Sequence, residues 1–235
     1  MTNAWDDPRI ARGMQQQFTA RRARIVAGEK PLGWKVGLGA PSVMERLKLK
    51  APLVGYMMQK SLLPDGVTVP VGSWTKPVAE PEVAAYIGKD LPGGADRATT
   101  ISSIAALGPA IELADLNPPP EDVEVTLGGN IFHRHVILGL QDKSRAGAKL
   151  DGLVGHIFRR GVLAAKQDKI ESLIGEMIGI VQHVAGTLAA YGEKLSTGDV
   201  IITGSITPPQ FIEPDEREFS YRLEPIGKLA VRFSR

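Results

Sequence analysis

Two carboxylates in one strand-like segment have the clearest potential for chemistry in this chain. Residues 79–87 read Ala-Glu-Pro-Glu-Val-Ala-Ala-Tyr-Ile. If they form a strand, side chains alternate between its faces, so Glu80 and Glu82 share one face about 6.6 Å apart along the strand. Carboxylates this close oppose each other's ionisation unless a positive charge lies beside them. The spacing therefore indicates a cation at this face.

A third acid, Glu112, lies in a second strand-like segment between Ile111 and Leu113. A carboxylate among apolar residues needs a partner. Grouped with Glu80 and Glu82 it would complete an all-oxygen site, which favours a hard ion such as Mg²⁺ or Mn²⁺ over zinc. The spacing by itself leaves a plainer interpretation open, in which Glu80 and Glu82 line the exposed face of an edge strand.

Lys35 is the candidate proton-transfer group. It lies in a short strand-like segment between Trp34 and Val36, with Gly33 and Gly37 allowing close approach of a ligand or another strand. A desolvated lysine can exchange protons near neutral pH. The alternative is a lysine whose stem is buried and whose amine reaches water.

His133 and His135 are two residues apart and could share a zinc ion from one face of a strand. No third nitrogen or sulfur ligand accompanies them in the sequence. The favoured interpretation is that they line a polar pocket or the surface.

The composition limits the classes of partner. The 28 basic and 26 acidic residues are interspersed and give a net charge of +2, which argues against binding to nucleic acid or to an anionic membrane. The absence of cysteine excludes disulfides and thiolate metal sites and is compatible with a reducing compartment. The acidic residues 1–7 lack a signal-peptide core, and no apolar run approaches the ~18 residues of a membrane span. We expect a cytoplasmic protein.

The patterns of apolar residues predict more strand than helix. Amphipathic spacing predicts one helix over residues 8–27 and another from about Asp168 to Gly192. Asp168 can cap the second helix together with Glu171, three residues on. A Pro-Asp-Gly turn within residues 62–69 and a second turn within residues 221–233 predict two hairpins. At 235 residues, one domain is the default.

Four blocks of sequence resemble the fumarylacetoacetate hydrolase superfamily, in its branch of 2-keto-4-pentenoate hydratases and 4-oxalocrotonate decarboxylases. They are Gly-Trp-Lys-Val-Gly-Leu at 33–38, Glu-Pro-Glu-Val-Ala at 80–84, Pro-Ala-Ile-Glu at 109–112 and Gly-Asp-Val-Ile-Ile-Thr-Gly-Ser-Ile-Thr-Pro at 198–208. Their order and separation extend the resemblance over nearly the whole chain.

The resemblance implies an α+β fold, a mixed β-roll or barrel with peripheral helices. It implies one catalytic domain over 1–235, in which an N-terminal helical and strand segment (1–60) packs on the β-roll (61–235). Family members form dimers or larger homo-oligomers, and hydratases and decarboxylases of the family can associate in pairs.

The resemblance also assigns roles to individual residues. It implies that Mg²⁺ or Mn²⁺ is bound by three acids, that Lys35 is the acid/base group, and that Asn130, Ser205 and Thr207 lie near the substrate. The metal ligands it implies are Glu80, Glu82 and Glu112.

The chain departs from the family pattern at three places. Gly39-Ala40-Pro41 stands where hydratases have hydroxyl-bearing residues followed by a cation, and Leu53 stands where they have an acid. Residues 131–134, Ile-Phe-His-Arg, replace small residues and would reshape the pocket, with Arg134 as a replacement cation that binds substrate.

These features lead us to expect a metal-dependent lyase acting on a small anionic 2-oxo acid or its 2-hydroxy-dienoate tautomer. A 2-keto-4-pentenoate hydratase-like hydro-lyase of aromatic-compound degradation ranks first, and a 4-oxalocrotonate-type decarboxylase second. An acylpyruvate C–C hydrolase and a non-catalytic partner subunit that retains the metal site are the remaining alternatives.

Overall fold

Two β-sheets form the framework of the molecule. The computed structural model describes residues 3–117 and 120–235. The strands, numbered along the chain, are β1 (Pro31–Gly37), β2 (Leu53–Met58), β3 (Leu62–Leu63), β4 (Thr68–Pro70), β5 (Pro77–Ile87), β6 (Ile104–Asp115), β7 (His133–Leu138), β8 (Val154–Arg159), β9 (Val162–Gln167), β10 (Val200–Ser205), β11 (Gln210–Phe211), β12 (Glu218–Glu224) and β13 (Gly227–Ser234).

The larger sheet has eight strands in the order β2-β1-β10-β5-β6-β7-β3, with β11 paired to β5. β1 runs parallel to β10 and β3 parallel to β7, whereas the other pairs along this path are antiparallel. The N-terminal strands β1 and β2 are therefore part of the same sheet as β5 and β6, which carry the acidic residues.

The smaller sheet has five strands in the order β4-β13-β12-β8-β9. Its strands β12 and β13 contact β6 of the larger sheet. The hairpin predicted near the C-terminus is present as β12 and β13, which pair in register from Glu218↔Arg232 to Leu223↔Gly227.

Helices lie outside the sheets. They are α1 (Pro8–Val26), α2 (Pro41–Leu47), α3 (Arg97–Ser103), α4 (Val123–Gly128), α5 (Glu171–Ile174) and α6 (Met177–Ala190), with 3₁₀ turns at Ala4–Asp6, Gln59–Ser61 and Lys143–Arg145. None of the helices in the described part of the chain is long and apolar enough to cross a membrane.

The first predicted helix is confirmed as α1. Asp7 caps it by accepting a hydrogen bond from the backbone of Arg9, and a proline at the first position suits the unpaired end of the helix. Its buried face includes Met14 and Phe18 and packs toward the core, where Phe18 meets Trp34 of β1 edge to face. The helix therefore supports the strand that carries Lys35.

The second predicted helix is two helices, so the single helix expected from about Asp168 to Gly192 is wrong. α5 ends at Ile174, and Gly175 takes φ +85°, which an L-residue does not readily adopt. The carboxylate of Glu171 accepts a hydrogen bond from the backbone N–H of Met177 and so supports the start of α6. Apolar residues keep their helical spacing across Gly175, so the sequence pattern does not show the break between α5 and α6.

The predicted hairpin within residues 62–69 is also wrong. β3 pairs with β7 in the larger sheet, whereas β4 pairs with β13 in the smaller one. The turn itself forms, and Asp65 accepts a hydrogen bond from the backbone of Ala230 in β13. The sequence identified the turn, but β3 and β4 on either side of it pair with strands that are distant in the sequence.

The observed architecture is the mixed α+β arrangement predicted, a curled sheet with helices at its periphery. One large apolar core joins the two sheets to α1 and α6. Within this frame, β1, β5, β6 and β10 bring the candidate residues together.

Candidate functional site

The three glutamates predicted to bind metal lie together. β5 and β6 are antiparallel neighbours, and Glu80 stands directly opposite Glu112 in their register. Glu82 lies two residues further along β5 and points to the same face. One carboxylate oxygen from each of the three side chains lies within 4.8 Å of the others. The plainer interpretation, an exposed edge strand, does not apply because β5 is internal to the sheet.

Local irregularity in β10 completes the setting of Glu82. The register between β10 and β5 shifts between Ile202 and Ser205. In this gap the backbone N–H of Gly204 donates to Oε2 of Glu82 at 2.6 Å, and Ile206 donates its N–H to the carbonyl of Pro81. The bulge therefore turns a backbone donor toward a buried carboxylate.

Lys35 reaches the same cluster from β1. Its Nζ lies 2.6 Å from Oε1 of Glu112 and donates to the carbonyl of Ile131 at 3.1 Å. The side chains of Lys35 and Glu112 are 2% and 1% exposed, so this is a fully buried ion pair. Of the two interpretations of Lys35 that the sequence left open, the desolvated amine agrees with this position.

His133 is a member of the cluster that sequence reasoning did not assign. Its Nδ1 lies 2.7 Å from Oε1 of Glu112, and its Nε2 lies 3.0 Å from Oγ of Ser61. Since burial lowers the pKa of His133, the neutral ring donates from Nδ1 to the carboxylate and turns Nε2 to the serine hydroxyl. The sequence signals were its spacing from His135 and its position three residues after Asn130.

His135 does not join His133 in a metal site. It stacks against Trp74 with ring centroids 6.0 Å apart. Within residues 3–117 and 120–235, the one group of acidic or histidine side chains with metal-binding geometry is the glutamate trio. The zinc alternative is therefore not supported by the structure.

The cluster distributes charge unevenly among its acids. Burial raises the pKa of Glu80 to about 7, and the charge of Glu112 adds to this effect. Burial raises the pKa of Glu82 well above its ordinary value, with the charges of Glu112 and Glu80 acting in the same direction. Burial opposes ionisation of Glu112 as well, but Lys35 and His133 outweigh it, and the pKa of Glu112 lies below its ordinary value. Glu112 is thus the charged partner of Lys35.

The donor set fits a divalent metal ion. Glu82 and Glu112 each direct one oxygen to protein donors and leave the other, Oε1 of Glu82 and Oε2 of Glu112, buried without a hydrogen-bond partner. Buried carboxylate oxygens without donors are costly unless a cation meets them. Oxygen ligands of this type suit Mg²⁺, Mn²⁺ or Ca²⁺.

A cavity of about 270 Å³ opens onto this cluster. Lys35 and Glu80 line its polar end together with Ser205 and Thr207. The hydroxyl of Ser205 is buried without a hydrogen-bond partner, whereas that of Thr207 donates to the carbonyl of Pro208 at 3.1 Å. The structure therefore brings two of the four residues predicted to bind substrate to the cavity wall.

The other two predicted substrate ligands have different contacts. The side chain of Asn130 accepts from the N–H of Tyr56 and donates to its carbonyl, each at 2.9 Å, and so fastens its loop to β2. Arg134 donates to Asp115 at 3.3 Å, and its side chain is 51% exposed. Neither Asn130 nor Arg134 is among the cavity-lining residues. Alternation along β7 explains the result, because Arg134 points away from the side that His133 occupies.

The fold and the site together are a curled mixed sheet that holds three glutamates with metal-binding geometry beside a buried lysine, and the chain is similar to enzymes of known function. No protein-family model matches the chain. A 2-hydroxyhexa-2,4-dienoate hydratase from Comamonas testosteroni is 25% identical over 91% of this chain and 82% of its own length. A 4-oxalocrotonate decarboxylase from Pseudomonas putida is 24% identical over 99% of this chain and 89% of its own length.

Solved structures of similar proteins have the same fold. The 4-oxalocrotonate decarboxylase from Pseudomonas putida G7, complexed with magnesium and adipate, has a TM-score of 0.82 at 23% identity and covers 93% of this chain and 83% of its own. Fumarylpyruvate hydrolase from Pseudomonas aeruginosa, in complex with Mn²⁺ and pyruvate, has a TM-score of 0.67 at 15% identity and covers 87% and 89%.

The resemblance inferred from the sequence is confirmed. Over most of its length the chain is similar in sequence to 2-hydroxydienoate-type hydratases and to 4-oxalocrotonate decarboxylases. The predicted fold class is confirmed with it, and the prediction of an enzyme related to those hydratases and decarboxylases agrees with the names of the relatives.

Proposed function

We propose that this protein is a divalent-metal-dependent lyase acting on a 2-oxo acid or its 2-hydroxy-dienoate tautomer. The observation that carries the proposal is the convergence of Glu80, Glu82 and Glu112 beside Lys35 at the polar end of a cavity. The arrangement combines a hard-cation site, a proton-transfer group and a space for a small organic acid. A 2-keto-4-pentenoate hydratase-like hydro-lyase of aromatic-compound degradation ranks first, since hydratases are among the relatives described above.

Mg²⁺ or Mn²⁺ is the proposed ion, held by Glu80, Glu82 and Glu112. When bound, it supplies Lewis-acid polarisation to the carboxylate and C2 oxygen of the substrate. Lys35 is the one lysine, arginine or histidine among the described residues that line the cavity, so we assign to its Nζ the movement of the proton at C3 of the substrate.

The remaining residues hold this arrangement and the substrate in place. Ser205, whose hydroxyl is without a partner, and Thr207 are proposed to bind the substrate at the cavity wall. His133, which is not among the residues that line the cavity, fixes the carboxylate of Glu112. Asn130 is proposed to act at a distance, by fastening the loop whose Ile131 carbonyl accepts from Lys35. Arg134 has no direct substrate role in this proposal.

A 4-oxalocrotonate-type decarboxylase is the second candidate, favoured by the similarity in fold to such an enzyme. An acylpyruvate C–C hydrolase ranks lower because activation of water needs a base, and the cavity-lining residues in the described chain offer no acid besides Glu80 and no histidine. A partner subunit without turnover would retain the metal site alone.

One assay separates the hydratase, the decarboxylase and the subunit without turnover. Purified protein with Mg²⁺ is incubated with 2-hydroxypentadienoate and, separately, with 4-oxalocrotonate, while ultraviolet absorbance and released CO₂ are followed. Loss of the diene without CO₂ supports the hydratase, and CO₂ release supports the decarboxylase. Turnover of neither substrate, with metal still bound, supports the partner subunit and contradicts a lyase.

We also propose a homo-oligomer, a dimer or larger, formed from single catalytic domains spanning residues 1–235 in the cytoplasm. The edge strand β9 supports an assembly, because Val162 and Leu163 are 68% and 51% exposed on a strand that pairs with β8 on one side and, within the described residues, with no strand on the other. A paired complex with a hydratase or decarboxylase partner is the alternative. Light scattering after size-exclusion chromatography measures the assembly directly.

A further inference from the structure

We infer that the cavity is built for an acid with one carboxylate and an apolar tail and discriminates against a second carboxylate at the far end of the substrate. This inference rests on the proposed function, because it assigns the substrate class of the same site. It concerns the wall of the cavity rather than the metal-binding residues.

The charges around the cavity allow for one substrate carboxylate. The three glutamates, Lys35 and a divalent ion together have no net formal charge, so a monoanionic substrate already adds one negative charge. Lys35 is the one cationic side chain among the described residues that line the cavity, and it is engaged by Glu112 and by the carbonyl of Ile131. A second carboxylate would add negative charge that no lining side chain offsets.

Most of the side chains that line the cavity are apolar. The largest of them are Leu38, Val43, Leu116, Phe132, Leu173 and Ile174. A carboxylate against such side chains loses hydration, whereas an alkyl tail gains from burial. The lining hydroxyl groups are those of Ser42, Thr203, Ser205 and Thr207. They are neutral and do not offset a negative charge, and those of Thr203 and Thr207 already donate to backbone carbonyls.

The cationic side chain that could have balanced a second substrate carboxylate does not reach the cavity. Arg134, the arginine that the sequence suggested as a replacement, pairs with Asp115 and does not line the cavity. The left-handed residues Ile131 and Phe132 place their side chains on the cavity wall in its stead, with φ of 51° and 64°. The same segment that was expected to add charge therefore adds apolar surface.

Calorimetric titration of the Mg²⁺-loaded protein with stable 2-oxo acids tests the inference. Pyruvate, 2-oxobutanoate, 2-oxopentanoate and 2-oxohexanoate form the monocarboxylate series. 2-Oxopentanedioate and 2-oxohexanedioate are the dicarboxylates of matched length. We expect affinity to rise about three- to fourfold per added methylene in the first series, and each dicarboxylate to bind at least tenfold more weakly than its match.

The outcomes separate this inference from the proposed function. Mg²⁺-dependent binding in which the dicarboxylates equal or exceed their matches overturns the inference and leaves the metal-dependent lyase in place. Absence of Mg²⁺-dependent binding for every acid overturns the proposed function and the inference with it.

Variants of Leu173 locate the selectivity. Leu173 is half-buried on the short helix α5, so substitution there spares the sheet. Leu173→Lys should raise the affinity for 2-oxohexanedioate relative to 2-oxohexanoate by at least tenfold, and Leu173→Ala should weaken 2-oxohexanoate while leaving pyruvate unchanged. Val26→Lys, at the exposed end of α1, adds the same charge away from the cavity and should change neither ratio. Equal effects of Leu173→Lys and Val26→Lys would contradict the inference.

Discussion

The ammonium group of Lys35 lies 2.6 Å from Oε1 of Glu112, and both side chains are closed to solvent. The two residues come from β1 and β6, which are separated in the sheet by β10 and β5. Glu112 consequently has two roles, as the partner of Lys35 through one oxygen and as a proposed metal ligand through the other. In the proposed function, this shared carboxylate links proton transfer to metal binding.

Removal of Lys35 should show how strongly the unpaired buried charge of Glu112 destabilises the fold. Lys35→Met leaves Glu112 without its cation, and we expect the free energy of unfolding in metal-free buffer to fall by about 3 kcal/mol. Turnover should fall at least 100-fold, because the proton-transfer group is gone. Urea unfolding with and without Mg²⁺ and a steady-state assay provide the measurements. The double variant Lys35→Met/Glu112→Gln removes both charges and should recover part of the stability; no recovery would argue against the pairing.

Glu82→Gln should abolish both turnover and the rise in melting temperature produced by Mg²⁺. Stabilisation by a ligand grows with its concentration relative to its dissociation constant, so a lost ligand oxygen appears directly as a lost thermal shift. Glu218→Gln, an exposed position on β12, is the matched control and should retain the shift. Unchanged metal affinity in Glu82→Gln would rule out the assignment of this ligand.

His133→Asn should weaken metal binding without removing a metal ligand. Its imidazole fixes the orientation of Glu112, and the loss of such supporting hydrogen bonds lowers metal affinity about 10- to 100-fold. Titration with Mn²⁺ followed by electron paramagnetic resonance measures the affinity. His135→Asn lies two positions along β7 and serves as control. If both variants bind Mn²⁺ as the wild type does, His133 has no positioning role.

Metal affinity should rise with pH through about 7. The folded pKa of Glu80 is raised to about 7, above its ordinary value of 4.5, so the proton held by this carboxyl must leave when a cation binds. The stability of the metal-free protein should depend on pH in the opposite direction. The raised pKa of Glu80 favours folding fully below about pH 4.5, and this contribution to stability is lost as the pH rises to about 7. Calorimetry at pH 6 and pH 8, in buffers of different ionisation enthalpy, should detect released protons. Glu80→Gln should reduce that release, and an undiminished release would contradict the assignment.

Two glycines close to α5 and α6 should respond oppositely to alanine. Gly175 takes φ +85°, so Gly175→Ala should cost about 1–3 kcal/mol of stability and displace the wall formed by Leu173 and Ile174. Gly179 lies inside α6, where an added Cβ meets no atom closer than 3.8 Å. Gly179→Ala should therefore stabilise by about 0.5–1 kcal/mol. Equal melting temperatures for the two variants would contradict this account.

Local sequence was sufficient where structure depends on near neighbours. Alternation in residues 79–87 predicted that Glu80 and Glu82 share a face, and β5 places them so. The helix α1, through its apolar spacing, and the terminal hairpin of β12 and β13 were predictable for the same reason. The single helix through Gly175 failed because helical spacing does not record one residue with positive φ.

The sequence by itself determined the chemistry available to this protein: the candidate acids Glu80, Glu82 and Glu112, the lysine Lys35 and no thiol, a set that favours a hard-cation site. Only the tertiary structure decided which groups meet. The register of β6 on β5 sets Glu112 opposite Glu80, the bulge in β10 presents Gly204 to Glu82, and the course of β7 turns His133 inward and Arg134 outward. Strand pairing joins residues far apart in the chain, and a shift of one residue would reverse every side chain.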